Sequence, residues 1–264
     1  MIKICGPTFA RDCLRTRARG LFTLALLAAW GTEPQIAFAI PDDFRVFGDD
    51  IAERGELGLE FQAAAGRLRP RGGGPRSSER QGLAEISYGI ATGAEVSAQF
   101  PVAWREGSWR SNGLNLEVQY VGPHDNQGAY WGARVEASHA ASEQAASSRN
   151  SVEIRPILGY RQSGWEFLLN ASARRKTGGS SSKWTLEPSA KISVEAGAGV
   201  RLGVEGYSNA SREAALGRQG RSNVGLIAVD ARLAKLRVNV GVGGSWGAER
   251  GGPMVKTVVG FDLD

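Results

Sequence analysis

The sequence predicts an all-β fold: a single closed, antiparallel transmembrane β-barrel of about 12 strands, connected as an up-and-down meander. Three observations predict it. Apolar and polar residues alternate along most of the chain, long and short connections separate the alternating segments in turn, and Trp and Tyr residues gather at segment ends. A helical membrane protein is disfavoured, because the apolar run Gly20 to Trp30 is about half of the ~20 residues that a spanning helix needs.

The alternation has the period of a β-strand. Leu114, Leu116 and Val118 alternate with polar residues, and similar segments recur up to the C-terminus. Because successive side chains of a strand point to opposite faces, each segment predicts a strand with one apolar and one polar face. The predicted strands are 56–65, 82–90, 93–104, 113–121, 128–138, 151–161, 164–174, 184–194, 198–207, 221–230, 235–245 and 254–263.

The connections between these segments fall into two classes. A long connection follows every odd-numbered strand, whereas the connections after even-numbered strands are short, such as 91–92 and 162–163. Hydropathy alternation alone is also compatible with a soluble β-sandwich. Strict alternation of long and short connections is instead typical of outer-membrane barrels, which have long extracellular loops and short periplasmic turns.

The aromatic residues support the membrane barrel independently. Amphipathic rings concentrate at the two headgroup levels of a membrane, where they form girdles around a barrel. The Trp and Tyr residues beyond residue 39 lie at or just past predicted strand ends, whereas a sandwich would bury many Trp side chains in mid-strand. The predicted girdle residues are Trp104, Trp109, Trp131, Tyr160, Trp165, Trp184, Tyr207 and Trp246.

The N-terminus has the features of a cleaved signal peptide. Basic residues precede a short apolar run, and Ala37-Phe38-Ala39 forms a small-residue cleavage site. We therefore expect residues 1–39 to be a signal peptide, residues 40–55 a periplasmic N-terminal segment and residues 56–264 the barrel, in the outer membrane of a Gram-negative bacterium. The acidic segment 40–55 is compatible with a periplasmic tail or with a short helix that enters the lumen, and the sequence leaves this open.

Composition disfavours several classes of function. The chain has 32 Lys and Arg against 27 Asp and Glu, but five of the basic and two of the acidic residues lie in the leader, so the mature chain carries a net charge of +2. This balance gives no support to nucleic-acid binding. Both cysteines, Cys5 and Cys13, also lie in the leader, so we expect neither a disulfide nor a thiolate metal site in the mature chain.

Three hairpins of the sequence can be compared with known barrels: Leu83–Pro101, Ser151–Tyr160 with Trp165–Asn170, and Glu187–Val194 with Val200–Tyr207. They resemble hairpins of the outer-membrane transporters loosely named phenol meta-pathway outer-membrane proteins. The resemblance covers about half of the mature chain and implies a small channel-like barrel without a catalytic motif. The terminal Asp264 departs from the aromatic ending that is common in outer-membrane barrels.

The polar face of the predicted strands carries many charges. An ion-pair network of such groups would fill the lumen and make the barrel rigid, whereas a water-filled lumen would select solutes by charge. Twelve strands lie between the eight of side-chain-filled barrels and the ~16–18 of wide pores. The sequence favours a passive channel for small solutes, and the alternative is a closed structural or adhesive barrel that acts through its extracellular loops. The candidate lumen-lining residues are Glu95, Glu117, Arg134, Glu153, Arg155, Glu187, Lys191, Arg201, Glu205 and Arg237.

An outer-membrane enzyme is the third and least favoured interpretation. A Ser–His hydrolase needs an imidazole that is poised against a nucleophile and oriented by a third polar group. His124, beside Asp125, lies in the turn 122–127, and His139 lies where a strand enters a loop, so both fit ordinary polar turn or loop positions better. We therefore expect no catalytic residue, no metal site and no cofactor, since a nucleotide-binding motif is also absent from the sequence.

The expected partners follow from the barrel. They are outer-membrane lipid, small solutes of unknown identity, the barrel-assembly machinery during biogenesis, and lipopolysaccharide. The phosphates of lipopolysaccharide would meet the basic first loop. That loop carries Arg67, Arg69, Arg71, Arg76 and Arg80.

Overall fold

The computed structural model describes residues 43–68, 77–105, 107–140, 150–177, 184–210, 221–247 and 252–263. The predicted signal peptide and residues 69–76 of the basic loop lie outside these ranges. The described residues form 13 strands, and they contain no helix long and apolar enough to cross a membrane. The strands are β1 (Leu57–Leu68), β2 (Ser77–Ala91), β3 (Ala94–Arg105), β4 (Ser108–Ser111), β5 (Gly113–Val121), β6 (Gly128–Ala140), β7 (Asn150–Gln162), β8 (Trp165–Thr177), β9 (Trp184–Gly197), β10 (Val200–Ala210), β11 (Arg221–Leu233), β12 (Leu236–Gly247) and β13 (Pro253–Leu263).

Twelve of these strands form a closed antiparallel barrel. Each pairs with its neighbours along the chain, and β1 also pairs with β13 from Leu57 opposite Leu263 to Gly66 opposite Met254, which closes the cylinder. Closure leaves no unpaired edge, as a membrane-spanning sheet requires. The predicted all-β, 12-stranded meander is therefore confirmed.

The additional strand β4 lies within the predicted loop 105–112. It folds back on the end of β3, where Val102 is opposite Ser111, and β3 continues to pair with β5 below it. The rings of Trp104 and Trp109 meet edge to face across this hairpin, with centroids 5.6 Å apart.

The hydrogen-bonded ladders extend further than the hydropathy pattern on the side of the long connections. β2 begins at Ser77 instead of residue 82, and β8 ends at Thr177 instead of residue 174. At the end of β8 both faces are polar, so the sequence alternation stops although Asn150 and Thr177 still pair. On the opposite side the turns are tight: Ser163 and Gly164 both have positive φ, the conformation of a two-residue hairpin turn.

Neighbouring residues of each strand differ sharply in exposure. In β5 the side chain of Leu116 is 54% exposed, whereas that of Glu117 is 5% exposed. The exposed apolar side chains form the outer surface of the cylinder, and the buried polar ones point inward. A soluble barrel has polar side chains outside and apolar ones inside. The opposite arrangement seen here suits a barrel that is surrounded by lipid.

Seven of the eight predicted girdle residues lie at strand ends on the outer side or against it. Trp109, Trp131, Tyr160, Trp165, Trp184 and Trp246 are exposed, and Trp104 is half-buried against Trp109. Tyr207 is a correction: it points into the lumen and is 6% exposed. Its parity explains this, because Tyr207 lies on the same face of β10 as Glu205, two residues earlier.

Residues 43–56 occupy the lumen, and we call them the plug. The chain contains no helix within these residues, and they contact the inner face of the barrel, so neither a solvated tail nor a short helix describes them. Phe44 and Phe47 are 3% and 1% exposed. The plug contacts the inner faces of strands on opposite sides of the cylinder, including β1, β8 and β13.

The plug joins the wall at the side of the short turns. Gly55 N–H donates to the carbonyl of Gly89 at 2.8 Å, and Gly89 N–H donates to the carbonyl of Glu56 at 3.0 Å. A Cβ on Gly89 would lie 1.9 Å from the carbonyl oxygen of Glu53. Glycine at this position therefore lets the plug pass directly over β2 before β1 begins.

The outer face gives a depth-dependent prediction. Ile227 lies at the middle of β11 and is 71% exposed, and Leu233 lies on the same face at the short-turn end and is 48% exposed. We expect Ile227→Arg to lower the unfolding free energy by about 2–4 kcal/mol and Leu233→Arg by about 0–1 kcal/mol, since a charge costs most at the bilayer midplane. Urea unfolding in lipid vesicles measures both, and equal costs would contradict the assigned face and depth.

Candidate functional site

The candidate site is the lumen together with the plug inside it. A chain inside a barrel cannot satisfy all its backbone groups through a ladder, so side chains must supply partners. Asn170 on β8 does this for Phe47: its Oδ1 accepts from the Phe47 N–H at 2.7 Å, and its Nδ2 donates to the Phe47 carbonyl at 3.0 Å. Asn170 is fully buried. One side chain of the wall therefore binds both backbone groups of Phe47 away from water.

A second grip holds Phe44. Its N–H donates to Oε1 of Gln62 at 3.2 Å, and its carbonyl accepts from Nζ of Lys256 at 2.6 Å. The Tyr207 hydroxyl lies 2.9 Å from the same carbonyl oxygen and 2.8 Å from Oε2 of Glu205. Lys256 is 1% exposed and also forms an ion pair with Glu205, so a buried charge pair of the wall is directed at the plug backbone.

The ring of Phe47 is surrounded by guanidinium groups. The Cζ atoms of Arg134 and Arg155 lie 3.9 and 4.6 Å from its centroid, and that of Arg45, within the plug, lies at 4.4 Å. Cations above an aromatic face are attracted by its quadrupole, most strongly where water is excluded. Asp43 contacts the same two wall residues: its Oδ2 is 3.4 Å from Nη1 of Arg134 and 3.4 Å from Nη1 of Arg155.

The plug ends in a second set of ion pairs at the short-turn mouth. Asp49 accepts from Nη1 of Arg161 at 2.5 Å and lies 2.8 Å from Nε2 of His124. Asp50 pairs with Arg232 and Arg237, each at 2.8 Å. Two adjacent carboxylates of the plug therefore bind opposite sides of the mouth.

His124 lies in a turn at this mouth, outside the strands. Its Nδ1 is 2.8 Å from the carbonyl of Gly122, and its ring stacks on Tyr130 with centroids 4.9 Å apart. The Gly122 carbonyl and then the Asp49 carboxylate raise the pKa of His124 above its ordinary value of 6.5. Both partners are acceptors, so both are satisfied when the imidazole carries two protons.

The charges of the wall are segregated around the lumen. Among the described residues of β1, β2, β3 and β5, the buried charged side chains are all carboxylates, whereas buried cations come from β6 onward. The plug is complementary to this pattern. Arg45 binds Glu60 of β1 at 2.5 Å, and the plug's Asp side chains turn to the cations. The carboxylates on those four strands are Glu60, Glu85, Glu95 and Glu117.

All ten candidate lumen residues lie on the inner face, and the structure gives each a partner. Glu117 contacts Arg134, Glu153 binds Arg155 at 2.6 Å, and Lys191 lies 3.4 Å from Glu205. The remaining pairs are Glu95 with the Ala52 N–H at 2.7 Å, Glu187 with Arg174 at 3.8 Å, Arg201 with Glu166 at 3.6 Å, and Arg237 with Asp50 at 2.8 Å.

Sequence reasoning missed Asn170 and the role of Phe47. Asn170 is one of many polar residues on inward positions, and nothing near it in sequence marks its partner, which is 123 residues away. The plug did carry a signal: large apolar residues spaced among acidic ones are unusual for a solvated tail. That pattern suits a segment that must be buried among charges.

The histidines have other partners than a nucleophile. His124 binds Gly122 and Asp49, and Nδ1 of His139 lies 2.7 Å from Oδ1 of Asn150. The described part of the chain holds no cluster of three or more His, Cys, Asp or Glu side chains that could bind a metal ion.

No family model matches the chain, and no curated protein matches its sequence. Solved structures match its fold. The COG4313 outer membrane channel from Pseudomonas putida F1 is 13% identical with a TM-score of 0.57, covering 83% of this chain and 100% of that one. The translocator domain of autotransporter NalP from Neisseria meningitidis is 10% identical (TM-score 0.48; 97% and 99% covered), and OccK7 (OpdD) from Pseudomonas aeruginosa is 14% identical (0.41; 81% and 66%). The chain thus shares the β-barrel fold of the Pseudomonas putida protein.

The Lys256–Glu205 pair gives a stability prediction. Lys256→Met removes the closest cation of a buried carboxylate, so we expect a loss of about 3–5 kcal/mol in unfolding free energy. The double variant with Glu205→Gln should recover part of that loss in unfolding free energy, because it no longer contains the unpaired carboxylate. Urea unfolding of the two single variants and the double variant in vesicles tests this, and a double variant as unstable as the sum of both would contradict the pairing.

The contact of His124 with Asp49 predicts that docking of the plug depends on pH. The part of the raised pKa that Asp49 supplies disappears when the plug leaves, so protonation favours the docked plug. This contribution is complete below the pKa of His124 in the undocked state, where the Gly122 carbonyl still acts on the imidazole, and is lost as the pH rises through the higher pKa of the docked state.

Maleimide labelling measures this docking. A thiol at the buried Val46, in a chain whose Cys5 and Cys13 are replaced by Ser, reacts when the plug leaves. The labelling rate should rise more between pH 6 and pH 8 with His124 than in the His124→Gln variant, and dividing the two rates cancels the titration of the thiol itself. Identical pH profiles in the two chains would show that His124 does not contribute to docking.

Proposed function

We propose that the protein is an outer-membrane channel that passes small solutes passively when the plug leaves the lumen. The observation that carries this proposal is the completeness of the wall without the plug. All twelve barrel strands pair in a closed ring, and among the described residues the one β-bridge between plug and wall joins Arg54 to Gly89, at the mouth. Departure of the plug therefore breaks side-chain contacts but no ladder of the barrel.

The lining of the lumen supports the same proposal. Its buried side chains include Gln62, Gln99 and Gln119 together with many charged groups, and water can solvate all of these. An apolar lining would resist hydration and would gate by dewetting. Because carboxylates and cations face each other across the lumen, a solute that crosses it meets a transverse field that favours small polar molecules over bulky apolar ones.

The fold is similar to that of an outer-membrane channel from Pseudomonas putida F1, and this similarity agrees with the proposal. The proposal places the protein in the outer membrane, in contact with lipid and lipopolysaccharide, after export and insertion by the assembly machinery. It assigns no catalytic step to the barrel.

Conductance in planar bilayers tests the proposal. The chain that begins at residue 40 is compared with a variant that begins at Glu53, which lacks the grips on Phe44 and Phe47 and both carboxylates at the mouth. We expect rare, brief openings of the longer chain and sustained conductance of the shorter one. A matched control, Glu53→Gln in the longer chain, alters the exposed exit of the plug and should remain closed.

The alternative is a closed structural or adhesive barrel that acts through its extracellular loops. The filled lumen favours it, since plug and wall charges together leave little unpaired. A shortened chain that is folded, as judged by heat-modifiable migration on gels, and that conducts no ions would overturn the channel and leave this alternative.

A further inference from the structure

We propose that the pair of arginines around Phe47 is a binding site for small aromatic carboxylates, which displace the plug from it. This inference rests on the proposed opening of the lumen and names the ligands that favour it. The plug presents two groups to Arg134 and Arg155: the ring of Phe47, at 3.9 and 4.6 Å from their Cζ atoms, and the carboxylate of Asp43, at 3.4 Å from each. An aromatic ring and a carboxylate, held on one pair of guanidiniums, define the chemistry of the ligand.

The docked plug does not satisfy this site completely. Arg134 is 2% exposed, yet its Nε has no hydrogen-bond partner within the described residues, although Asp43, Glu117 and Glu136 all lie near its other nitrogens. A buried donor without an acceptor is costly, and the face of Phe47 is a poor acceptor. A ligand whose carboxylate reaches Nε would remove that cost, which the plug leaves in place.

The charge of the lumen permits this exchange. The guanidiniums at this level are already opposed by wall carboxylates, since Glu117 contacts Arg134 and Glu153 binds Arg155 at 2.6 Å. An additional anion would therefore be repelled while the plug is docked. A ligand carboxylate in the place of Asp43 restores the anion that Arg134 and Arg155 lose with the plug, whereas Arg45, which leaves at the same time, is paired with Glu60 of β1. The site accordingly selects a monoanion with a ring, whereas dianions and simple inorganic anions lack one of the two requirements.

Competition for the site has a thermodynamic consequence. A ligand that binds only when the plug is undocked shifts the equilibrium towards the undocked state by the factor one plus its concentration over its dissociation constant. Aromatic carboxylates would therefore be both the preferred solutes of this lumen and the signal that empties it.

The test uses the Val46→Cys chain with Cys5 and Cys13 replaced by Ser, folded in vesicles, and follows maleimide labelling. The probe is 3-phenylpropanoate. Two matched compounds each lack one feature: 3-cyclohexylpropanoate has no aromatic ring, and 3-phenylpropanol has no charge. We expect the labelling rate to rise with probe concentration to about elevenfold at ten times the dissociation constant of the probe for the undocked lumen, and to level off when most plugs are undocked. The cyclohexyl compound should need an about five- to tenfold higher concentration for the same acceleration, and the alcohol should not change the labelling rate.

Variants locate the effect. Arg155→Gln weakens the docked plug as well, so basal labelling rises, but further acceleration by 3-phenylpropanoate should disappear. Arg174→Gln changes a neighbouring cation, which pairs with Glu153 at 2.8 Å and makes no contact with Phe47 in the described structure, and should keep the response. Equal acceleration by all three compounds, or an undiminished response of Arg155→Gln, would overturn the site.

Labelling and conductance together distinguish failure of the ligand site from failure of the proposed channel. Acceleration of labelling together with a shortened chain that never conducts would support the site and overturn the channel. Conductance of the shortened chain, together with labelling that 3-phenylpropanoate leaves unchanged, would support the channel and overturn the site.

Discussion

Charged side chains in a narrow lumen require partners of opposite charge, and the rest of this structure depends on that requirement. The described inner faces of β1, β2, β3 and β5 carry buried carboxylates and no buried cations. An ionised carboxylate away from water is costly unless it is paired. The plug supplies part of the compensation, because Arg45 binds Glu60 and the Ala52 N–H binds Glu95. Its own carboxylates in turn bind cations of the other strands, so plug and wall are neutralised together.

The plug is held by side chains of the wall and not by a ladder. Asn170, Gln62 and Lys256 each bind backbone groups of the plug through their side chains. The backbone groups of the strands that carry these residues are hydrogen-bonded to neighbouring strands of the barrel. A segment added as a further strand would be inseparable from the sheet. A segment held by separate side-chain hydrogen bonds and ion pairs has a docked state whose free energy depends on single residues, and we expect pH and ligands to change it as well.

The sequence was sufficient to predict the barrel and its inner face, but not the plug that fills the lumen. The period of two determines which residue of each pair points inward, and it locates Glu117, Arg134 and Glu205 on the inner face because parity is a local property. Tyr207 was misassigned because its place at a strand end was weighed without its parity. The plug's grips could not be derived, since Phe44 and Lys256 are 212 residues apart and meet only after the cylinder closes.

Undocking of the plug and entry of water must occur together. If the plug left a dry lumen, Glu60 would lose its ion pair with Arg45, and Glu95 would lose its hydrogen bond from the Ala52 N–H. Each carboxylate would then lack that partner away from water, which is strongly destabilising. If water enters as the plug leaves, the same groups are solvated and the cost is largely recovered. The charges that hold the plug in the dry state would therefore also make the emptied lumen wettable. In the proposed channel, one set of residues thus accounts both for a stable closed state and for a conductive open one.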